Sequence, residues 1–280
     1  MSLTPEKLIN QDQKLASFPL IYEQLMEALN NPKSKAEDIA AIIMHDAALC
    51  VRLLKIVNSS FYNFASQIDT VSRALNVIGT EQLFSLTMGT TIISKFEAIP
   101  EKFVTMESFW HHGIACGLAA KSIAKFRKEP NLEFYFIAGM IHDIGSLIIY
   151  KQIPELASSA LVQCNDWGRP LIKAEQDVMG FDHTQVGKAL AEKWQLPESL
   201  GHIIAHHHDP EQAKKFKIES SIMHVADNIA EGSFLGSSGQ IKSQPLNTQV
   251  WKNLGLPDNL LTSIYDEMYE TFEETVEIFT

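Results

Sequence analysis

Apolar positions recur about every three to four residues in one segment after another, the period of helices packed on one face. Residues 20–30 show it, and Pro32 stops them. Ser34 followed by Glu37 is a capping-box pattern for a helix running to about Met44. Leu49, Leu53, Leu54 and Val57 share one face of a predicted helix over Ala47–Val57, which runs into the turn cluster Asn58-Ser59-Ser60. The pattern then predicts a helix over Val71–Ile78 ended by Gly79, and a further helix capped by Thr80 and reaching about Phe96. Pro100 closes this stretch. A second series begins near Met106. It predicts helices over Phe109–Phe126, through Phe136–Ile149, over Pro154–Cys164, and from an Asp182–Gln185 cap to Trp194. Two more follow, from Pro197 to His206 and over Ser220–Glu231. Residues 232–247 are rich in Gly and Ser and read as a mobile loop. Leu260–Ile278 reads as an acidic amphipathic helix on a solvated flank. Alternating β-branched runs joined by hairpin turns are absent. The expected fold is therefore all-α, in two helical lobes over 1–100 and 101–280, the second with a C-terminal helical extension.

Composition narrows the function classes. With 280 residues, 45% of them apolar, the chain fills a sizeable core. A net charge of −11 argues against a nucleic-acid partner or an anionic membrane surface. Cys50, Cys116 and Cys164 are odd in number and widely spaced, so they read as reduced thiols of a cytoplasmic protein. No signal-peptide pattern opens the sequence, and no apolar stretch reads as long enough to cross a bilayer.

The candidate chemistry centres on Phe136–Ile149, nearly all apolar or small except for His142 and Asp143. Burying an imidazole and a carboxylate there is costly without partners. Adjacent helical residues point about 100° apart, so this pair converges on one ion only if the helix ends at it. Gly145 is placed to end it, as a left-handed residue or as a point of close backbone approach. The competing reading is a His–Asp hydrogen bond inside an ordinary core. Helical phase sorts the remaining histidines. His207 shares a stripe with Leu200, Ile203 and Ile204, and His183 with Val186, Gly187 and Leu190, so both face inward. His206 and His202 fall on a stripe facing water. His111 and His112 both have small, apolar stripes, and phase does not choose between them. Asp227 lies in an otherwise apolar helix. Inward His and Asp side chains on successive helices can converge on one metal, as in helix-bundle metal sites.

These residues carry a resemblance to HDOD (HD-related output domain) proteins of the HD superfamily. In the first lobe it rests on Phe18-Pro19, Ala47 through Leu54, Val57 through Tyr62, Ala74-Leu75 and Ile78-Gly79. In the second it rests on Phe109-Trp110-His111-His112, Ala138 through Gly145, Asp182-His183, Trp194 through Pro197, and His207 through Pro210. The resemblance implies an HD-like helical bundle for the second lobe. It also implies a cytoplasmic role in signalling or regulation through other signalling proteins. Related HD hydrolases bind metal at positions that match His112, His142, Asp143 and Asp227. Two-metal members add histidines that match His183, His207 and His208. An all-N/O ligand set without thiolate favours iron, manganese or magnesium as the divalent metal. The alternative reading is a metal-dependent phosphohydrolase acting on a phosphorylated small molecule. No catalytic residue is assigned for it.

Three departures bear on that alternative. Ser146 stands where active HD enzymes often carry a Lys. Asp209-Pro210-Glu211 replaces the Gly-Tyr-Pro signature of cyclic-dinucleotide phosphodiesterases, and Ser108 stands where that group has a Glu ligand. Efficient cyclic di-GMP hydrolysis is not expected. A third possibility is a scaffold whose His–Asp cluster is only a polar core network.

Overall fold

A computed structural model describes residues 3–11, 15, 18–59, 61–62, 64–96, 98–100, 104–241 and 245–280. Ser60 of the expected turn and residues 242–244 of the expected loop lie outside them. Among the described residues there are helices and no strand, so the all-α expectation holds.

The stretch expected as the first lobe, residues 1–100, contains α1 (Pro5–Gln11), α2 (Leu20–Asn30), α3 (Ala36–Met44), α4 (Ala47–Val57), α5 (Val71–Ile78) and α6 (Thr80–Ile93). The second contains α7 (Met106–Arg127), α8 (Leu132–Ile141), α9 (Ile144–Gln152), α10 (Pro154–Asn165) and α11 (Leu171–Met179). It continues with α12 (His183–Lys193), α13 (Glu198–His206), α14 (Lys217–Ser233), α15 (Thr248–Asn253) and α16 (Leu260–Phe279). Helices α2–α6 pack on one another, and α7, α8 and α14 form the centre of the second lobe. One core runs through both, because α6 packs on α8 and is buried along nearly its whole length. The short α1 lies in the first hundred residues yet packs on α12 and α9.

Local chemistry explains most boundaries and corrects two. Asp46 caps α4 by accepting from Leu49 N at 2.9 Å, and Thr105 caps α7 by accepting from Ser108 N at 3.0 Å. The N-cap of α3 is Lys35, one residue later than the sequence implied; Asp38, not Glu37, accepts from Lys35 N at 2.8 Å, and the lysine side chain, a donor only, completes no capping box. Between α5 and α6 the cap position belongs to Gly79, at φ +95°, and Thr80 is already helical. That left-handed region is costly for any residue with a Cβ.

Three further expectations fail. Helix α16 is no solvated flank. Its Ile264, Met268, Phe272 and Phe279 are buried, and it packs on α7 and α4, tying the lobes together. By length and composition, Leu132–Gln152 is apolar enough to cross a bilayer, although most of it is buried inside the protein and a turn at His142-Asp143 divides it. Residues 235–241 are pinned, not loose. Ser237 N donates to Ser108 O and Oγ, Tyr150 Oη donates to Ser238 O at 2.6 Å, and Asn165 Nδ2 donates to Gly239 O at 2.9 Å. Glycine and serine there serve close backbone approach and hydrogen bonding; they do not supply slack.

Candidate metal centre

The site is built where α8 stops. Phe136, Ile137 and Ile141 are fully buried in α8, as are Leu147 and Ile148 in α9. Each contributes roughly 1.5–3 kcal/mol by leaving water. Gly139 lets α8 meet α7: a Cβ there would lie 2.5 Å from Gly117 Cα. His142 keeps near-helical angles (φ −57°, ψ −34°), and Asp143 departs (φ −95°, ψ 13°) to head α9. The break brings two adjacent side chains into one space. Of the two roles open to Gly145, close approach is the one observed. A Cβ on it would sit 2.0 Å from the His183 carbonyl oxygen, so glycine allows α12 to deliver His183 to Asp143.

The Asp143 carboxylate stands between two groups of ligands. Its Oδ2 lies 3.3 Å from His142 Nε2 and 3.7 Å from His112 Nε2. Its Oδ1 lies 3.4 Å from both His183 Nε2 and His207 Nε2. Asp227 Oδ1 is 3.2 Å from His112 Nε2 and 3.4 Å from His142 Nε2. The Nε2 atoms of His183 and His208 are 2.9 Å apart. Asp143, His183, His207 and His208 form one set able to hold a metal ion, and His112, His142 and Asp227 form another; within each, the ligand atoms lie within 4.8 Å of one another. All seven predicted side chains therefore converge. The structure also separates His112, which is buried, from His111, which is half-buried against the Phe272 ring. His202 and His206 stay outside the cluster, each half-buried and partly open to solvent, with His202 packed on Phe216.

Hydrogen bonds on the far side of the rings fix which nitrogen points inward. Nδ1 of His142 is 2.7 Å from Gly139 O, Nδ1 of His207 is 2.9 Å from Ile204 O, and Nδ1 of His183 is 2.6 Å from Glu175 Oε2. Each acceptor requires a proton on Nδ1, so Nε2 faces the cluster. Nε2 of His112, His142 and His207, and Oδ1 of Asp143, are buried without a hydrogen bond. Orphaned atoms of this kind in a dry interior are costly.

Charge in the cluster is divided unevenly. Burial works against charge on His142, but the Asp143 carboxylate outweighs it and raises its pKa well above the usual value. Burial likewise opposes charge on His183, yet Glu175 lifts it to about 9. Burial would raise the two aspartates. The His142 ring holds Asp143 well below the ordinary carboxyl range, and the His112 and His142 rings beside Asp227 do the same for it. Burial pushes His207 down and outweighs the Asp143 carboxylate, which works against it; burial and then the His207 and His183 rings push His208 well down, so both stay neutral. Protonated His183 therefore donates to neutral His208. Neutral His207, its only proton on Nδ1, turns a lone pair toward the Asp143 carboxylate. A cation between them removes that repulsion, and the residues present fit a divalent metal.

The HDOD domain family profile matches residues 15–210. The chain belongs to the HDOD family. Its fold is similar to that of an HDOD domain protein of unknown function from Geobacter sulfurreducens, with a TM-score of 0.74 and 22% identity over 98% of this chain and 96% of that one. It is also similar to a candidate phosphohydrolase from Shewanella amazonensis SB2B, with a TM-score of 0.75 and 20% identity over 97% and 96%. An uncharacterized protein of Treponema pallidum (strain Nichols) is 24% identical over 209 residues, 73% of this chain and 40% of that protein. The chain thus spans about two fifths of the length of the curated relative it matches.

One HDOD site residue escaped the sequence reading. Glu175 is buried and accepts from both the ring and the backbone N–H of His183, the latter at 3.0 Å. It sits on α11, a helix the sequence reading passed over. The signal was present: Leu171, Ala174 and Glu175 share a helical face, and all three are buried.

Proposed function

We propose that this chain is a regulatory HDOD module of the cytoplasm that holds divalent metal in its His/Asp cluster and signals through contacts with other proteins. The observation that carries the metal half is the His207–Asp143 contact, in which Nε2 and Oδ1 stand 3.4 Å apart, both buried and neither with a hydrogen bond. His112, His142 and Asp227 would hold the ion on one side, and His183, His207 and His208 on the other, with Asp143 serving both. A divalent ion bound there supplies positive charge and a Lewis acid that polarises water or a phosphoryl oxygen. The protein's part is to orient the rings through Gly139 O, Ile204 O and Glu175, and to exclude water from all but one edge. That edge is His208, whose side chain is 29% exposed.

The second reading, a metal-dependent phosphohydrolase, is favoured by the completeness of the ligand set. The closed site weighs against it, because substrate needs a reachable open position on the metal. Ser146 also weighs against it. It is buried where a Lys would meet phosphate, and losing one such contact commonly costs about a hundredfold in rate. The test is to measure bound metal in the purified protein. Phosphomonoesters, nucleotides and cyclic dinucleotides are then assayed with added manganese or iron. Bound metal without turnover supports the regulatory module. Metal-dependent turnover that Asp143→Ala abolishes transfers the assignment to the enzyme.

A further inference from the structure

A cavity of about 390 Å³ contains none of the metal-cluster residues. Phe61, Tyr62, Leu118, Lys121, Leu132 and Glu133 line much of it. Lys121 stands on α7, the helix of His112, and is half-buried. Its ammonium lies 3.0 Å from the centre of the Phe61 ring and donates to Phe61 O at 3.2 Å. That ring is held in turn by Phe136, with centroids 4.8 Å apart. Among the described residues Lys121 forms no ion pair. The Tyr62 ring centre is 5.7 Å from the same nitrogen, and Tyr62 Oη is buried with no hydrogen bond.

As packing alone this arrangement is costly, since a buried ammonium and an unpartnered phenol both give up water for little return. It suits a nucleophile. Burial lowers Lys121 to about 8, with Lys125 adding to it, and outweighs Glu133 and Glu267, which work against it. Roughly a tenth of Lys121 is then neutral at pH 7, against fewer than about one in a thousand for an ordinary lysine. A neutral lysine in an apolar pocket, next to a second cation, is set to attack a carbonyl carbon. Burial, and then Glu133, push the Tyr62 phenol up, so it keeps its proton and can donate it in a hydrogen bond.

We infer that this cavity captures a small aldehyde or ketone as a Schiff base on Lys121, with Tyr62 Oη donating to the carbonyl oxygen. The ammonium first gives a proton to water. The nitrogen lone pair then forms the bond to the carbonyl carbon, the C=O pair moves to oxygen, and a proton passes from nitrogen to that oxygen. The hydroxyl takes back the proton held by water and leaves as water while the C=N bond closes. In net terms an ammonium and a carbonyl compound become an iminium and water. The iminium keeps both features that hold the amine now, a positive charge over the Phe61 ring and one N–H for Phe61 O. An amide formed by acylation would lose the charge. The capture uses none of the metal ligands.

The experiment incubates the full chain with propionaldehyde and cyanoborohydride, which reduces an iminium to a stable secondary amine, and reads labelling by peptide mass spectrometry. Lys128, exposed at the end of the same helix, is the internal reference. The expected result at pH 7 is labelling of Lys121 at least about tenfold faster than Lys128. The Lys121 rate should saturate with aldehyde concentration and reach half its maximum near pH 8. Tyr62→Phe, which removes only an unpartnered oxygen, should slow Lys121 about tenfold or more without moving that midpoint. Labelling of Lys121 no faster than Lys128 would reduce it to a structural tie between Phe61 and α7 and overturn the inference. A rate that never saturates, or one unchanged in Tyr62→Phe, would overturn it too, leaving a reactive amine without a built site.

Discussion

The two lobes bury different things. In the first, the buried polar groups among the described residues are hydroxyls: Ser59, Ser85, Thr87, Thr90 and Thr91. Several bond back to their own helix, as Thr87 does to Leu83 O and Thr90 to Leu86 O. They need nothing from outside. In the second, His112, His142, Asp143, His183, His207, Asp227 and Glu175 are all buried, and several of their atoms lack partners. The first lobe is mainly an apolar core whose buried serine and threonine hydroxyls bond locally; Tyr22 Oη reaches across to Gln195 O, and Tyr62 Oη is its one buried side-chain oxygen without a partner among the described residues. The second carries an electrostatic cost that its own residues do not fully offset. That difference places the buried His/Asp cluster in the second lobe, which is joined to the first through α6 and α16.

Paired substitutions break the comparison most sharply. Leu53→Ala, in the fully packed core of the first lobe, should cost about 2–5 kcal/mol of stability by chemical denaturation. It should leave metal stoichiometry unchanged. His207→Ala should do the reverse. It should weaken metal binding by more than about a hundredfold, because it removes a ligand and not merely its support. It should also cost the metal-free protein less than Leu53→Ala does. If both variants lose stability alike and neither changes metal content, the lobes are equivalent and the cluster is a polar core network.

Glu175 sharpens the picture one layer out. Glu175→Ala frees the His183 ring from its acceptor and should lower metal affinity by about 10–100-fold in a competition titration, with Glu175→Asp restoring part of it. An unchanged affinity would make Glu175 a structural partner of α12 alone. Its detection also shows how far sequence carries. Ala47–Val57 and Val71–Ile78 were legible to the residue, because their apolar faces and caps agree. His183 and His207 were legible by phase. His112 was not, since its neighbour His111 has an equally small, apolar stripe; only the packing of α7 on α8 and α14 decides. The strap at 235–241 was misread because glycine and serine signal looseness only when no backbone lies close enough to bond them. That proximity is a property of the tertiary fold.

The smallest expected effect is on pH. The folded value of His183, about 9, lies above the unfolded value of about 6.5. Its protonation therefore stabilises the metal-free protein fully below about pH 6.5, and that stability is lost as pH rises through about 9. Metal must displace the same proton, so affinity should strengthen by up to about tenfold per pH unit over this window. A metal-free thermal midpoint that climbs between those values, or a pH-independent affinity, would mean that His183 is neutral in the folded protein.

The central claim is that the second lobe's unsatisfied cluster is completed by a divalent ion. Its most direct test is the metal content of the purified wild-type protein beside that of Asp143→Ala, by elemental mass spectrometry after growth with manganese and iron. The account predicts at least about one equivalent of divalent metal per chain in the wild type and almost none in the variant, since Asp143 serves both ligand groups. A metal-free wild type that takes up no manganese or iron on titration, with an Asp143→Ala variant that is merely less stable, would contradict it.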